Sequence, residues 1–379
     1  MMRDGEPLQI EPDAHARRHG TAAKGARLPL YGSVRGNGCA RRWLLVGPLA
    51  WVCEDQVLIS QQPTLSADAR PITYPDGLPH QYFFVGQNGA LGYRDLGHAE
   101  ETAPDVELEP GFALAIVGVQ EKSPGVPFAL TSRGSWVPLR DLSPANPASF
   151  QGVELDPAQT GAGELGWVVA DSTQTYDRPA GKPIRERNHS RFEAIQVFET
   201  QKQGGRRWMR IGEREWVRSE DVRVRSAAPV PPVLRPDERW IDVDLDQQIL
   251  TAYIGNKAVF STMVSTGKGR EGTPEATPKG AFRIWAKLRG SDMDNLEDED
   301  ASRYYAIQQV PWVMFFKQGY ALHGTFWHRG FGNVRSHGCI NLSPLDAQRL
   351  FFWTRPRLPS GWTAVLPSPF DPGTLIVVR

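Results

Sequence analysis

No apolar run in this chain is long enough to cross a bilayer: the longest, Trp43 to Cys53, is broken by Gly47 and Pro48. Charge of one sign is also missing, since 43 basic and 43 acidic side chains cancel, and no broad field points to nucleic acid or an anionic membrane as partner. No seven-to-fifteen-residue apolar core stands in the polar stretch Met1 to Gly20, so an export signal is either not used or not carried by this sequence. Long helical periodicity is scarce. With 37 Gly, 31 Pro and 12 Trp, the composition predicts a mainly β protein of short strands and tight turns with few short helices.

Cysteine is scarce too, at three residues. Cys39 and Cys53 flank a predicted hairpin, which leaves two readings open: a disulfide that isolates Cys339 as a thiol, or two unpaired cysteines packed as small hydrophobes.

The 379 residues suffice for several cores. A weak repeat organises the first part. Trp43-Leu44-Leu45-Val46-Gly47 followed by Trp51, Val52 and Val57 matches Trp208-Met209-Arg210-Ile211-Gly212 followed by Trp216, Val217 and Val222 at the same offsets, and Phe128 to Leu142 is a fainter copy. Each copy reads as a hairpin buried on one face. The repeat is similar to bacterial SH3-like barrels, near residues 20–60, 80–143 and 164–225. The expected organisation is a polar tail over 1–19, tandem SH3-like repeats over 20–150, a third over 160–226, a Pro-rich linker over 227–237, a catalytic part over 238–367 and a tail over 368–379. Ser143 to Pro147, the Gly-rich Gln159 to Gly166 and the four prolines of Ser226 to Pro236 mark the joints, so the catalytic part is expected to move as its own body.

Chemistry concentrates near the end of the chain. In Ser336-His337-Gly338-Cys339-Ile340-Asn341 a thiol follows one imidazole by two residues and another, His323, by sixteen. A thiol beside imidazole can be ionised to attack a carbonyl. In an extended segment His337 and Cys339 project to one face, and His323 can reach Cys339 from a neighbouring strand. The amides of Gly338 and Cys339 are candidate oxyanion donors, Asn341 falls on the side of Cys339 as a candidate substrate contact, and Ser336 is expected to hold the loop together. His328 reads as an exposed loop residue. A zinc set of His323, His328, His337 and Cys339 lacks the usual ligand spacings, and no Gly-rich phosphate loop opens a helix, so neither metal nor cofactor is expected.

His323-Gly324-Thr325, the aromatic insert through Phe331-Gly332, Ser336 to Asn341, the turn Thr277-Pro278-Lys279-Gly280-Ala281-Phe282, the alternating Trp240 to Tyr253 and the helical Leu342 to Phe352 together resemble the L,D-transpeptidases of the YkuD type. The resemblance spans about residues 238–367. It implies a β-sandwich catalytic domain in which Cys339 is the nucleophile, His323 the base with its tautomer fixed by the Gly324 carbonyl, and His337 an orienting or oxyanion group. It further implies a lid from the acidic run Asp292 to Asp300 over a groove with Tyr304 and Trp312 as wall residues. The implied partners are peptidoglycan stem peptides, as donor and acceptor, in the periplasm or cell envelope. Water as acceptor makes the same site an L,D-carboxypeptidase, a protein lysine makes it an anchoring transferase, and a non-catalytic wall-binding protein is the reading from a different class.

Overall fold

In the computed structural model, which describes residues 5–65, 73–156, 163–297 and 304–379, the three sequence copies become three equivalent hairpins. Trp43–Gly47 pairs with Ala50–Cys53, Val126–Thr131 with Trp136–Pro138, and Arg206–Gly212 with Glu215–Arg218, and a single 3₁₀ turn follows each pair. Alternation decides which side is buried: Leu44 and Val52 fill one small core, Ala129 and Val137 a second, Val217 and Val222 a third. Cys39 and Cys53 are joined by a disulfide beside the first hairpin.

The remaining strands make two facing layers. A six-stranded sheet runs Val153–Glu154, Lys257–Met263, Ile249–Ile254, Arg239–Asp244, Leu375–Val378, Gly280–Arg283. Opposite it, Ala286–Asp294, Ala306–Lys317, Tyr320–Gly324 and Ile340–Leu342 belong to a sheet of 15 strands among the described residues. Ile241, Val243, Leu250, Phe260, Met314, Leu322, Ile340 and Leu342 close the core between the layers. The single α-helix of the described residues, Pro344–Trp353, covers it. Ser343 caps its start, Pro344 sits where no amide partner is needed, and Lys287 donates to the carbonyls of Phe351, Thr354 and Pro356 at its far end.

Several boundaries differ from expectation. Residues 368–379 are no tail: Leu375–Val378 is an inner strand, parallel to Arg239–Asp244 and antiparallel to Gly280–Arg283, and Arg379 pairs with Asp242 at 2.9 Å and Asp244 at 3.1 Å. The polar start is no tail either, because Arg18–Ala22 pairs with Trp362–Val365, and Gly20 is required where an added Cβ would lie 2.3 Å from the Trp362 ring. Asp292 to Asp294 end a strand instead of interrupting one, 295–297 follow it as a turn, and the last part of the expected lid, 298–300, lies outside the described residues. Of the expected Gly-rich joint, 159–162 lie outside them too.

Nor does the catalytic part stand alone. Ile307 pairs with Ala113, and Val153–Glu154 extends the catalytic sheet beside Phe260 and Ser261. The Pro-rich spacer lies down on that sheet, with Ser226 donating to Asp244 at 2.8 Å and Ala228 and Leu234 packed on Trp240 and Tyr253. Backbone hydrogen bonds between segments so far apart in sequence are invisible to composition.

Asp346, in the first turn of the helix, ties these parts together. Its carboxylate accepts from Thr262 and, through both oxygens, from the Gly152 amide at 3.0 and 3.1 Å. Burial raises its pKa from 3.8 to about 6, against these hydrogen bonds. An acid whose pKa is raised by folding holds its proton in the native state while the unfolded chain has lost it, so its contribution to stability falls as pH rises from 3.8 to about 6. At ~1.4 kcal/mol per pKa unit the swing is about 3 kcal/mol. The unfolding free energy of Asp346→Asn minus that of wild type is expected to rise across this window and level off above it. Denaturant titrations between pH 4 and 8 that give a flat difference would contradict the assignment.

Candidate active site

The site rests on one parallel strand pair. Tyr320–Gly324 and Ile340–Leu342 run side by side with Leu322 opposite Ile340, His323 opposite Asn341 and Gly324 opposite Leu342. Leu322 and Ile340 are sealed in the core, so their neighbours His323, Cys339 and Asn341 turn to the other face. There they line one groove of about 1120 Å³. Lys268, Asp292, Asp294, Arg335 and His337 also border it, with Tyr305, Tyr320 and Trp327, and Phe84 and Gly111 enter from the second hairpin unit.

His323 is 2 % exposed and its Nδ1 lies 3.1 Å from the Gly324 carbonyl oxygen. Only a proton on Nδ1 satisfies that contact, which leaves Nε2 bare as a base. Burial lowers its pKa to about 4, the Gly324 bond opposing. Cys339 is half-buried, and burial pushes its thiol pKa above 9.0 against a hydrogen bond from the Ala321 amide. The resting pair is therefore a thiol and a neutral imidazole. The sequence suggested a thiolate held ready, but burial disfavours the charged form of both partners.

The loop that carries Cys339 is a bend and not the extended segment expected. Ser336 Oγ accepts from the Gly338 amide at 3.1 Å and donates to the Cys339 carbonyl, so this Gly338 N–H is engaged within the loop and is not free for an oxyanion. Gly338 is required by its φ of 114° and by the Tyr320 ring, 2.4 Å from where a Cβ would be. Thr277, from the Thr-Pro-Lys-Gly turn, donates to the Gly338 carbonyl at 2.8 Å and accepts from Gly267. His337 stands at the rim, stacked on Tyr305 with ring centres 5.9 Å apart, its Nε2 3.2 Å from Lys268 Nζ.

Two expected wall residues are placed elsewhere. Trp312 is fully buried between the layers, its indole N–H bonded to the Gly77 carbonyl and its ring against Phe351 and Phe352. Tyr304 is 40 % exposed and outside the groove, while its neighbour Tyr305 lines it. Both tyrosines precede the strand that begins at Ala306, so no alternation in the sequence fixed which of them turned in. His328 is no exposed loop residue: it borders the groove, with its Nε2 2.9 Å from Asn341 Nδ2. Tyr320 and Thr277 were missed as well; Tyr320 lies three residues before His323, so period-two alternation does not point to it.

Among the described residues, the one group of His, Cys, Asp or Glu ligand atoms lying within 4.8 Å of one another is Cys39, Cys53 and Asp55, whose sulfurs form the disulfide. The three groove histidines and Cys339 do not converge in that way.

Residues 238–378 match the family model of the L,D-transpeptidase catalytic domain, YkuD. This segment is a YkuD-type catalytic domain. No curated protein matches the chain. Among solved structures it is similar to a mutant of Enterococcus faecium L,D-transpeptidase at 22 % identity, over 41 % of this chain and 55 % of that one, with a TM-score of 0.30. Another is Mycobacterium tuberculosis L,D-transpeptidase 3 in complex with a faropenem-derived adduct, at 20 % identity over 44 % and 72 %, TM-score 0.29. The Xylanimonas cellulosilytica L,D-transpeptidase is 21 % identical over 40 % and 64 %, TM-score 0.27. The chain thus spans 55 % of the first of these and 64 % of the last.

The loop between the YkuD-type histidine and cysteine strands is gripped from outside the matched segment. Phe326 stacks on Tyr82 at 4.0 Å, Phe331 on Phe150 at 6.2 Å, Arg329 donates to Asn146, and Arg223 donates to the Gly332 carbonyl at 3.0 Å. Phe150→Ala should open a cavity beside Phe331 and loosen the loop, so trypsin should cut at Arg329 or Arg335 several-fold faster than in wild type. Unchanged cleavage would mean that the loop holds itself. Independently, alkylation of Cys339 by iodoacetamide is expected to keep rising between pH 7 and 9, and a plateau reached below pH 7 would reveal a preformed ion pair instead.

Proposed function

We propose that this protein is a peptidoglycan L,D-transpeptidase with Cys339 as nucleophile and His323 as general base. The observation that carries this reading is a buried His323 with Nδ1 committed to the Gly324 carbonyl, on the same groove as Cys339, inside a segment that matches the YkuD catalytic domain.

In the first half-reaction His323 Nε2 takes the thiol proton as the sulfur attacks the carbonyl of the L-centre in a tetrapeptide stem. The C–N bond to the terminal D-alanine breaks, the proton passes to the leaving amine, and a thioester remains on Cys339. An acceptor amine then attacks the thioester, transfers its proton to His323 and restores the thiol. A neutral resting pair suits this cycle, because charge develops only when substrate has displaced water from the groove. The Cys339 amide is the candidate oxyanion donor, Gly338 N–H being tied to Ser336. His337, at the rim beside Lys268, orients the stem.

The hairpin units before residue 227 are read as SH3-like modules that engage the wall. An envelope location agrees with the Cys39–Cys53 disulfide, since such bonds persist in oxidising compartments. No helix of the described residues is long and apolar enough to cross a membrane.

Incubation with a purified disaccharide-tetrapeptide and mass spectrometry of the products tests the reading. Cross-linked dimers and free D-alanine are expected from wild type, neither from Cys339→Ala. For His323→Ala, acylation of Cys339 by a carbapenem should be slower by about 10²–10⁴-fold, the usual span of a general base. Equal rates in His323→Ala and wild type would remove His323 from the base role, and trimming without dimers would make water the acceptor.

A further inference from the structure

The loop after His323 brings a third imidazole to the groove that the proposed cycle does not use. His328 accepts the Gly330 backbone N–H on Nδ1 at 3.1 Å, and its Nε2 faces Asn341 Nδ2 at 2.9 Å. A neutral imidazole has one N–H and one bare nitrogen. Burial chiefly, helped by Arg335 and His323, keeps this ring neutral, with a pKa of about 4. Because Nδ1 is already an acceptor, the proton sits on Nε2. An N–H opposed to an NH₂ is two donors face to face, so the pair is complementary only with the carboxamide turned to present Oδ1 to the ring. The two ends of a carboxamide have one shape, and the hydrogen-bond network assigns them.

The far end of the same amide has no partner. Asn341 is 3 % exposed, its Oδ1 position is buried without a hydrogen bond, and the residue lines the groove opposite His323. Turning the amide puts an NH₂ there, an unpartnered donor on a residue that lines the groove. A buried polar group left without a partner costs free energy, and a ligand that supplies the acceptor recovers it.

We propose that His328 is a positioning residue: its Nε2–H fixes the Asn341 carboxamide so that the amide N–H₂ grips a backbone carbonyl of the bound acyl-donor peptide. This rests on the acyl-transfer reading above for the identity of the ligand, but not for the orientation of the amide. A bond made in both ground and transition states appears mainly in KM.

Two measurements on the full chain test it. Histidine-selective ¹⁵N NMR between pH 6 and 8 should show His328 with Nε2 protonated and Nδ1 bare, and an Nδ1–H tautomer or a charged ring overturns the proposal whatever the enzyme does. In kinetics of D-alanine release, His328→Leu is expected to lose about tenfold in kcat/KM, mostly through KM, as one lost hydrogen bond implies. His328→Gln, whose amide can donate from the place of Nε2, should stay within about threefold of wild type. Iodoacetamide labelling of Cys339 should be unchanged in both. Wild-type kinetics in His328→Leu, equal losses in the two variants, or slower labelling alongside the kinetic loss would each overturn it. If wild type itself releases no D-alanine, the acyl-transfer reading and the peptide-carbonyl role fall together, and the tautomer still decides whether His328 orients Asn341.

Discussion

The whole site depends on the register of a single parallel strand pair. Leu322 and Ile340 are opposite one another and sealed in the core, and that burial is what turns His323, Cys339 and Asn341 together into the groove. A slip of one residue on either strand would put a charged-capable ring or a thiol into the core and a leucine or isoleucine on the groove wall. Apolar burial, which is non-directional, is here converted into the geometry of the groove by the two-residue period of the strand.

The same burial sets the chemistry. With His323 nearly inaccessible and Cys339 half-buried, neither charged form is favoured, and the pair rests neutral. The Gly324 carbonyl occupies Nδ1 and leaves Nε2 bare, the form that the proposed general base needs. Around this pair, parts of the chain far from the catalytic segment act as structure. Tyr82, Asn146, Phe150 and Arg223 hold the loop that leads from His323 to Cys339, and Phe84 and Gly111 border the groove itself. The amino-terminal units are thus built into the active-site architecture and do not hang from it on a free linker.

What could be read from the sequence was whatever local pattern encodes. Gly and Pro density announced a mainly β chain, identical offsets of Trp43 and Trp208 announced equivalent hairpins, and the spacing of His323, His337 and Cys339 marked the site. What could not be read was non-local pairing. Nothing in Leu375-Ile376-Val377-Val378 says that it lies beside Trp240 to Val243, and nothing in Arg18–Ala22 names Trp362–Val365 as its neighbour. Trp312 and Tyr304 were taken as wall residues for the same reason: both are aromatic and in the same region, and only the folded layers put Trp312 in the core and Tyr305 on the wall. His328 was taken as an exposed loop residue because its partners, Gly330 and Asn341, come together only when the loop folds back.

The central claim, that Cys339 and His323 act as one acyl-transfer pair in this groove, is tested most directly by a crystal structure of the protein after reaction with a tetrapeptide donor. The account predicts density continuous from Cys339 Sγ into an acyl group lying along the groove, with His323 still bonded to the Gly324 carbonyl through Nδ1 and its Nε2 turned toward the sulfur. An unmodified thiol under saturating donor, or an adduct with the His323 ring turned away from it, would contradict the account.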